Sequence, residues 1–358
     1  MKRSLPKNPG KILIRSTNWI GDAVMTTPAV RTIRENFPDS EISILVLPWV
    51  SDIFRCSPRV DTIITYDKKG RHQGLAGKWH LARELNAYNF DCAILLQNAF
   101  EAALITTLAR IPCRGGYTTD ARGLLLSHGV RKSAAIHKKH QVHYYQEMVQ
   151  GLGLHPGDDA LELFIPQSVQ QATREKLLSI TNGKIETSPL IGFNPGAAYG
   201  PAKRWPAQKY ADLAGAICSN HEAYIAVFGT AADNEAAQCI KQSVPDPSKI
   251  LDYTGKTNLI EAMALIEQCN AFVTNDSGLM HVAAALKVPL AAIFGSTDHI
   301  ATGPFSNNSV IIRKPLPCSP CKQTHCPEKH LRCLREISPD EVLTAVTDLL
   351  HTQAYHHD

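Results

Sequence analysis

The feature that most constrains this chain is a matched pair of short loops, each joining a glycine to an acid, one in each half. Ser16-Thr17-Asn18-Trp19-Ile20-Gly21-Asp22-Ala23-Val24 follows the apolar run Ile12-Leu13-Ile14. Thr274-Asn275-Asp276-Ser277-Gly278-Leu279-Met280-His281 follows Ala271-Phe272-Val273. Apolar runs this short read as buried parallel strands, and each loop leads into a helical pattern. Open α/β sheets bind ligands outside the carboxyl ends of their strands. The expected fold is therefore α/β, with two doubly wound, Rossmann-like domains facing a central cleft. One wall would carry a carboxylate and the other an anion-accepting helix start.

The rest of the chain keeps the same alternation. Strands are expected over residues 11–15, 41–47, 62–66, 92–96 and 114–116, then 190–194, 223–228, 250–252, 271–274, 290–294 and 309–312. Helical patterns lie between them, which is the signature of βαβ units. The expected division is residues 1–180 for the first domain and 188–336 for the second, with 181–189 as the linker. Residues 337–358 form a last helix and tail, free to pack back on the first domain, with 351–358 frayed.

Composition removes several function classes. The net charge of +4 over 358 residues argues against a protein that coats nucleic acid. No apolar stretch follows the basic start of the chain, so no secretory signal is expected. The longest apolar run, residues 282–294, is broken by Lys287 and is too short to span a bilayer. The expectation is a cytoplasmic protein, peripheral on a membrane at most. No Gly-x-Gly-x-x-Gly follows the first strand, which weakens a dinucleotide-binding dehydrogenase, and no P-loop motif is present. The missing signal counts against a periplasmic-type binding protein.

Three segments carry chemistry. Asp22 at the first strand-to-helix turn is either a general base for a hydroxyl or only a helix N-cap. Asn194-Pro195-Gly196-Ala197-Ala198 lets backbone approach a phosphate, and Lys203, backed by Arg204, can place charge on a diphosphate; the alternative is an ordinary glycine-rich loop with solvated basic residues. Asp276-Ser277-Gly278 opens a helix that could receive an anion, with His281 about one turn further along, as a ligand contact or a structural histidine.

These residues resemble the lipopolysaccharide heptosyltransferases, glycosyltransferases of the GT-B fold, and most closely the members that add a second heptose. The resemblance rests on Asn18-Trp19-Ile20-Gly21-Asp22-Ala23-Val24, on Asn194-Pro195-Gly196-Ala197 with Lys203-Arg204-Trp205-Pro206, and on Asn275-Asp276-Ser277-Gly278-Leu279-Met280-His281. It implies an acceptor-binding first domain and a nucleotide-sugar-binding second domain. It further implies an ADP-heptose donor, a lipid A-Kdo-heptose acceptor, inversion at the anomeric carbon and no required metal or other cofactor. Asp22 becomes the general base and Lys203 the catalytic diphosphate ligand. Asn18, Gly21, Asn194, Gly196, Ala197, Ala198, Asp276, Ser277, Gly278 and His281 become substrate contacts, with Asp233 and Leu259 bordering the adenosine. The alternatives are transfer to Kdo itself or another nucleotide-sugar reaction on the same fold. A monomer at the inner face of the inner membrane is expected.

Two features stand apart. Lys68, Lys69, Arg71, Arg114, Arg122 and His137-Lys138-Lys139-His140 are either solvated surface or contacts to acceptor anions and anionic lipid. Cys318, Cys321, Cys326 and Cys333, close together among ten cysteines, could hold a structural zinc, or be reduced thiols or a redox-dependent crosslink.

Overall fold

The structure is a computed structural model that describes residues 5–354. The expectations for residues 1–4, and for residues 355–358 of the tail 351–358, lie outside that span. The chain divides into two compact units, residues 1–164 and 165–358.

The first unit contains β1 (Lys11–Arg15), α1 (Ile20–Met25), α2 (Thr27–Asn36), β2 (Glu41–Val46), β3 (Thr62–Thr65), α3 (Gly74–Ala87), β4 (Cys92–Leu95), α4 (Phe100–Leu108), β5 (Cys113–Tyr117), β6 (His128–Val130) and α5 (Gln141–Gly151). Its six-stranded sheet runs β3-β2-β1-β4-β5-β6, parallel at every pairing. The second unit contains α6 (Gln167–Ile180), β7 (Leu190–Asn194), α7 (Ala207–His221), β8 (Tyr224–Val227), α8 (Asn234–Gln242), β9 (Ile250–Asp252), α9 (Leu259–Glu267), β10 (Ala271–Asn275), α10 (Gly278–Ala285), β11 (Leu290–Phe294), α11 (His299–Thr302), β12 (Ser309–Arg313), α12 (Arg332–Arg335) and α13 (Pro339–Ala354). Its sheet runs β12-β11-β10-β7-β8-β9, also parallel.

Each sheet thus repeats one topology. The first strand of the unit lies beside the fourth, and the strand order reverses between them. Such a switch point leaves a crevice at the carboxyl edge, where doubly wound sheets bind their ligands. In the first unit it lies between β1 and β4, and in the second between β7 and β10. The loop ending in Gly21-Asp22 leaves β1. The loops at residues 194–200 and 275–277 leave β7 and β10. The strands that position them are apolar because helices cover both sheet faces: Ile12, Leu13, Ile14, Phe193, Phe272 and Val273 are all fully buried.

The boundary differs from the expected one. Residues 181–189 join α6 to β7 inside the second unit. The polar helix α6 packs against α9. Leu177 is buried, Gln170 Nε2 donates to both Glu267 oxygens at 2.9 and 2.8 Å, and the Lys176 ammonium lies over the Tyr253 ring. The last helix, α13, belongs to the second unit too, where Val342, Ala345, Val346 and Leu349 join the core with Trp205 and Tyr210. It is regular to Ala354, so residues 351–354 are helical where fraying is expected. No helix among the described residues is long and apolar enough to cross a membrane.

Candidate active site

In the second unit, strand register builds the site. Asn194 and Thr274 are neighbours at the ends of β7 and β10. Asn194 Nδ2 donates to Thr274 Oγ1 at 3.2 Å and to Ser277 Oγ at 2.6 Å. Ser277 is the N-cap of α10 and accepts from the Met280 amide at 3.3 Å. Asn275 ties the other side: its Oδ1 accepts from the Trp205 amide at 3.0 Å and its Nδ2 donates to the Pro195 carbonyl at 2.7 Å. Trp205 is fully buried, its indole N–H donating to the Ile337 carbonyl at 3.2 Å. The indole anchors the segment that carries Lys203.

Lys203 Nζ lies 2.7 Å from Asp276 Oδ2. The same ammonium sits 4.9 Å from the Tyr199 ring centroid. This pairing gives the buried Asp276 carboxylate a cationic partner. Arg204 also braces the loop: its Nε and Nη2 donate to the Ala197 carbonyl at 3.2 and 3.1 Å. Asp233 accepts from the Thr230 amide and hydroxyl at 2.9 Å each and lies 3.8 Å from Arg204. Gly196 passes directly over that carboxylate, where a Cβ would come within 2.6 Å of Asp233 Oδ2. Asn194, Gly196, Ala197, Lys203, Asp233, Asp276 and Ser277 are therefore brought into one network. Ala198 is exposed at its edge, Gly278 opens α10, and Leu259 stands at the start of α9 behind the Asn258–Glu261 capping box. His281 is 3% exposed, which leaves little of its ring for a ligand.

The cysteine loop braces this site from outside. The Ala202 amide donates to the Thr324 carbonyl at 3.1 Å, and Tyr199 Oη donates to the Lys322 carbonyl at 3.0 Å. Cys318, Cys321, Cys326 and Cys333 line one small cavity with Ala202. Burial, with the other three thiols nearby, pushes the Cys333 thiol up. All four are free thiols. Among the described residues no group of three or more His, Cys, Asp or Glu side chains could hold a metal ion. The expected structural zinc is not supported: the four thiols share a cavity wall without forming a ligand set.

In the first unit, Trp19 is the N-cap of α1, and Gly21 and Asp22 lie in its first turn. Asp22 is thus not the cap; it is a half-buried residue of the first turn at the carboxyl edge of β1. A carboxylate there is favoured by the helix amino end. Asn18 Oδ1 accepts from Arg15 Nη2 at 2.8 Å. Burial lowers the Arg15 guanidinium to about 10. Tyr66 lies beneath that guanidinium and donates to Glu101 Oε1 at 2.5 Å. Neither Arg15 nor Glu101 is flagged by a loop motif; the one available signal is a charged residue closing the apolar run of β1.

The basic candidates separate by burial. Arg122 is fully buried and spends its guanidinium on the Tyr117 carbonyl at 2.7 Å, the Gln97 carbonyl, and Asn98 Oδ1 at 2.7 Å. It is a structural arginine, not a surface contact. Arg114 donates to the Leu125 carbonyl at 2.7 Å, Lys68 pairs with Glu101 at 2.8 Å, Arg71 pairs with Glu84, and His140 caps α5. His137, Lys138 and Lys139 are exposed.

With this geometry in place, residues 78–332 match the model of glycosyltransferase family 9 (heptosyltransferase). The chain belongs to that family. It is a glycosyltransferase, with the two doubly wound units of the GT-B class. The matched segment contains Lys203, Asp276, Ser277 and His281 and begins after Asp22. The chain is 33% identical to lipooligosaccharide heptosyltransferase 2 of Haemophilus influenzae over 84% of its length and 88% of that protein. It is 31% identical to lipopolysaccharide heptosyltransferase 2 of Salmonella typhimurium over 95% of its length and 98% of that protein. Among solved structures, the ADP-heptose LPS heptosyltransferase II of E. coli superposes with a TM-score of 0.80 at 29% identity, covering 96% of this chain and 99% of that one.

Proposed function

We propose that this family 9 enzyme transfers L-glycero-D-manno-heptose from ADP-heptose to the first heptose of the lipopolysaccharide inner core, with inversion at the anomeric carbon. The observation that carries this reading is near full-length similarity to proteins named heptosyltransferase 2, joined to the placement of all three motifs at the switch points of the two sheets. Asp22 takes the proton of the acceptor hydroxyl as that oxygen attacks, which is general-base catalysis. Lys203 offsets the charge that gathers on the departing diphosphate, the point where fixed positive charge is most useful. The α10 amino end and the backbone of residues 194–198 support the phosphates. Residues 229–233 and 254–259 border the adenosine. No metal is needed, because the lysine and the helix end supply the positive charge. The enzyme works as a monomer at the inner face of the inner membrane.

The test is product formation. Purified protein with ADP-heptose and a heptose-Kdo core acceptor, in EDTA, is expected to yield a core heavier by one heptose with inverted anomeric configuration by NMR. Product from a Kdo-only acceptor instead would move the enzyme one step earlier. Product from neither acceptor would overturn the reading.

A further inference from the structure

We propose that the indoles of Trp19 and Trp49, with the ammonium of Lys69, form a platform in the first unit for a negatively charged saccharide. The proposal deepens the reading above, since the acceptor would be that saccharide.

Two tryptophans of the first unit keep much of their ring surface in solvent. Trp19 is 60% exposed and Trp49 45% exposed. Large apolar groups left in water carry a hydrophobic cost, and when grouped they mark a binding surface. Trp19 also occupies the N-cap of α1, where its side chain makes no capping bond. Ser, Thr, Asp or Asn would serve the helix better there. The residue is thus unfavourable for the helix and unfavourable for solvation at once.

Trp49 is tied to the backbone of the loop that carries Trp19. Trp49 Nε1 donates to the Asn18 carbonyl at 3.0 Å, one residue before Trp19 and four before Asp22. That bond fixes the Trp49 ring against the loop that carries the candidate base, so its position does not depend on bound ligand. Lys69 Nζ lies 5.9 Å from the Trp49 ring centroid. Among the neighbouring cations Lys68 and Lys78 pair with Glu101 and Arg71 pairs with Glu84, whereas Lys69 has no carboxylate partner among the described residues.

This set of groups suits one ligand chemistry. A flat indole accepts the C–H face of a pyranose by apolar contact while the sugar hydroxyls stay in water. The Lys69 ammonium over one face of the Trp49 ring, with no carboxylate partner among the described residues, meets a carboxylate or phosphate on a sugar held at the exposed part of that indole. An uncharged apolar partner would leave Lys69 unused, and a bare anion would leave both indoles unused.

The experiment uses a lipid-free heptose-Kdo core oligosaccharide, which removes any contribution from a bilayer. Acceptor KM, donor KM and quenching of tryptophan fluorescence by the oligosaccharide are measured for wild type, Trp49→Ala, Trp49→Phe, Trp19→Ala and Lys69→Ala, with thermal melts to confirm folding. The expected result is an acceptor KM raised about tenfold by each indole deletion, equivalent to roughly 1.4 kcal/mol, with donor KM within about twofold and Trp49→Phe, which keeps an aromatic face but loses the bond to Asn18, between Trp49→Ala and wild type. Lys69→Ala is expected to weaken the charged acceptor in the same direction. Normal turnover with acceptor KM unchanged in both Trp→Ala variants would overturn the platform and leave the proposed function intact. Loss of binding to anionic vesicles in those variants, again with acceptor KM unchanged, would overturn it in favour of a lipid surface. Indole-dependent binding of the oligosaccharide without turnover would support the platform and overturn the proposed function. Absence of any binding would overturn both.

Discussion

Lys203 and Asp276 form an ion pair of 2.7 Å in which the lysine side chain is 15% exposed and the aspartate 5%. The cation proposed for the donor diphosphate is therefore already neutralised in the free protein, and a diphosphate would have to share it or draw it away. Lys203→Met removes the cation and strands a buried carboxylate. A stability loss of roughly 3 kcal/mol is expected, together with a fall in kcat of about 100- to 1000-fold. Adding Asp276→Asn should restore much of the melting temperature and little of the rate. Recovery of both would mean that Lys203 serves the fold alone.

Gly196 is held close to Asp233 by the absence of a side chain. Its missing Cβ would stand 2.6 Å from the Asp233 carboxylate, which is fixed by two bonds to Thr230. Gly196→Ala must push the loop outward. A loss of about 1–3 kcal/mol is expected, with a raised KM for ADP-heptose and an unchanged KM for the acceptor. Equal rises in both constants would contradict placement of this loop on the donor.

Arg122 tests burial against charge. It looks like one of several basic residues available to an acid-bearing acceptor, yet its guanidinium is consumed by Tyr117, Gln97 and Asn98. Arg122→Met leaves those oxygens unsatisfied and should cost about 3 kcal/mol, read as a lower melting temperature. Acceptor KM measured below the melt should stay near wild type. A specific rise in acceptor KM without destabilisation would return Arg122 to the binding surface.

Alkaline pH should weaken both units. Burial, and at Tyr66 and Tyr117 also the neighbouring Glu101 and Glu147, raises the hydroxyls of Tyr66, Tyr117, Tyr145 and Tyr210 above their ordinary range. Burial pushes Tyr253 up to about 12. A raised folded value means the folded state keeps a proton that the unfolded state has lost. Stability from these groups is thus complete below pH about 10 and is lost as pH rises beyond it. The lowered Arg15 and Arg122 act in the opposite direction, but they are fewer. Absorbance near 295 nm should show these tyrosines ionising only with unfolding. Their titration near pH 10 in a folded protein would contradict their burial.

Much of this fold was legible because parallel sheets announce their strands. Continuous apolar runs such as Ile12-Leu13-Ile14 and Ala271-Phe272-Val273 have no other use at that length. The loops after them were legible for the same reason, since a switch point lies where such strands end. What the chain conceals depends on partners distant in sequence. β6 is three residues, His128–Val130, with a glycine in the middle, and only its pairing with β5 makes it a strand. The contacts of the polar helix α6 with Glu267 and Tyr253 join residues far apart in sequence. Asp22 could pass for a cap because the true N-cap is a tryptophan, a residue with no capping chemistry. Arg122 and Arg204 show that the sign of a side chain does not tell whether it meets solvent, ligand or backbone carbonyls.

The most direct test of the account is acceptor-dependent ADP release from ADP-heptose, compared between wild type and Asp22→Ala with the heptose-Kdo core acceptor. The account predicts release by wild type only when that acceptor is present, and a loss of about 100- to 10,000-fold in Asp22→Ala with ADP-heptose affinity retained. Release by Asp22→Ala within a few-fold of wild type would contradict the assignment of the base.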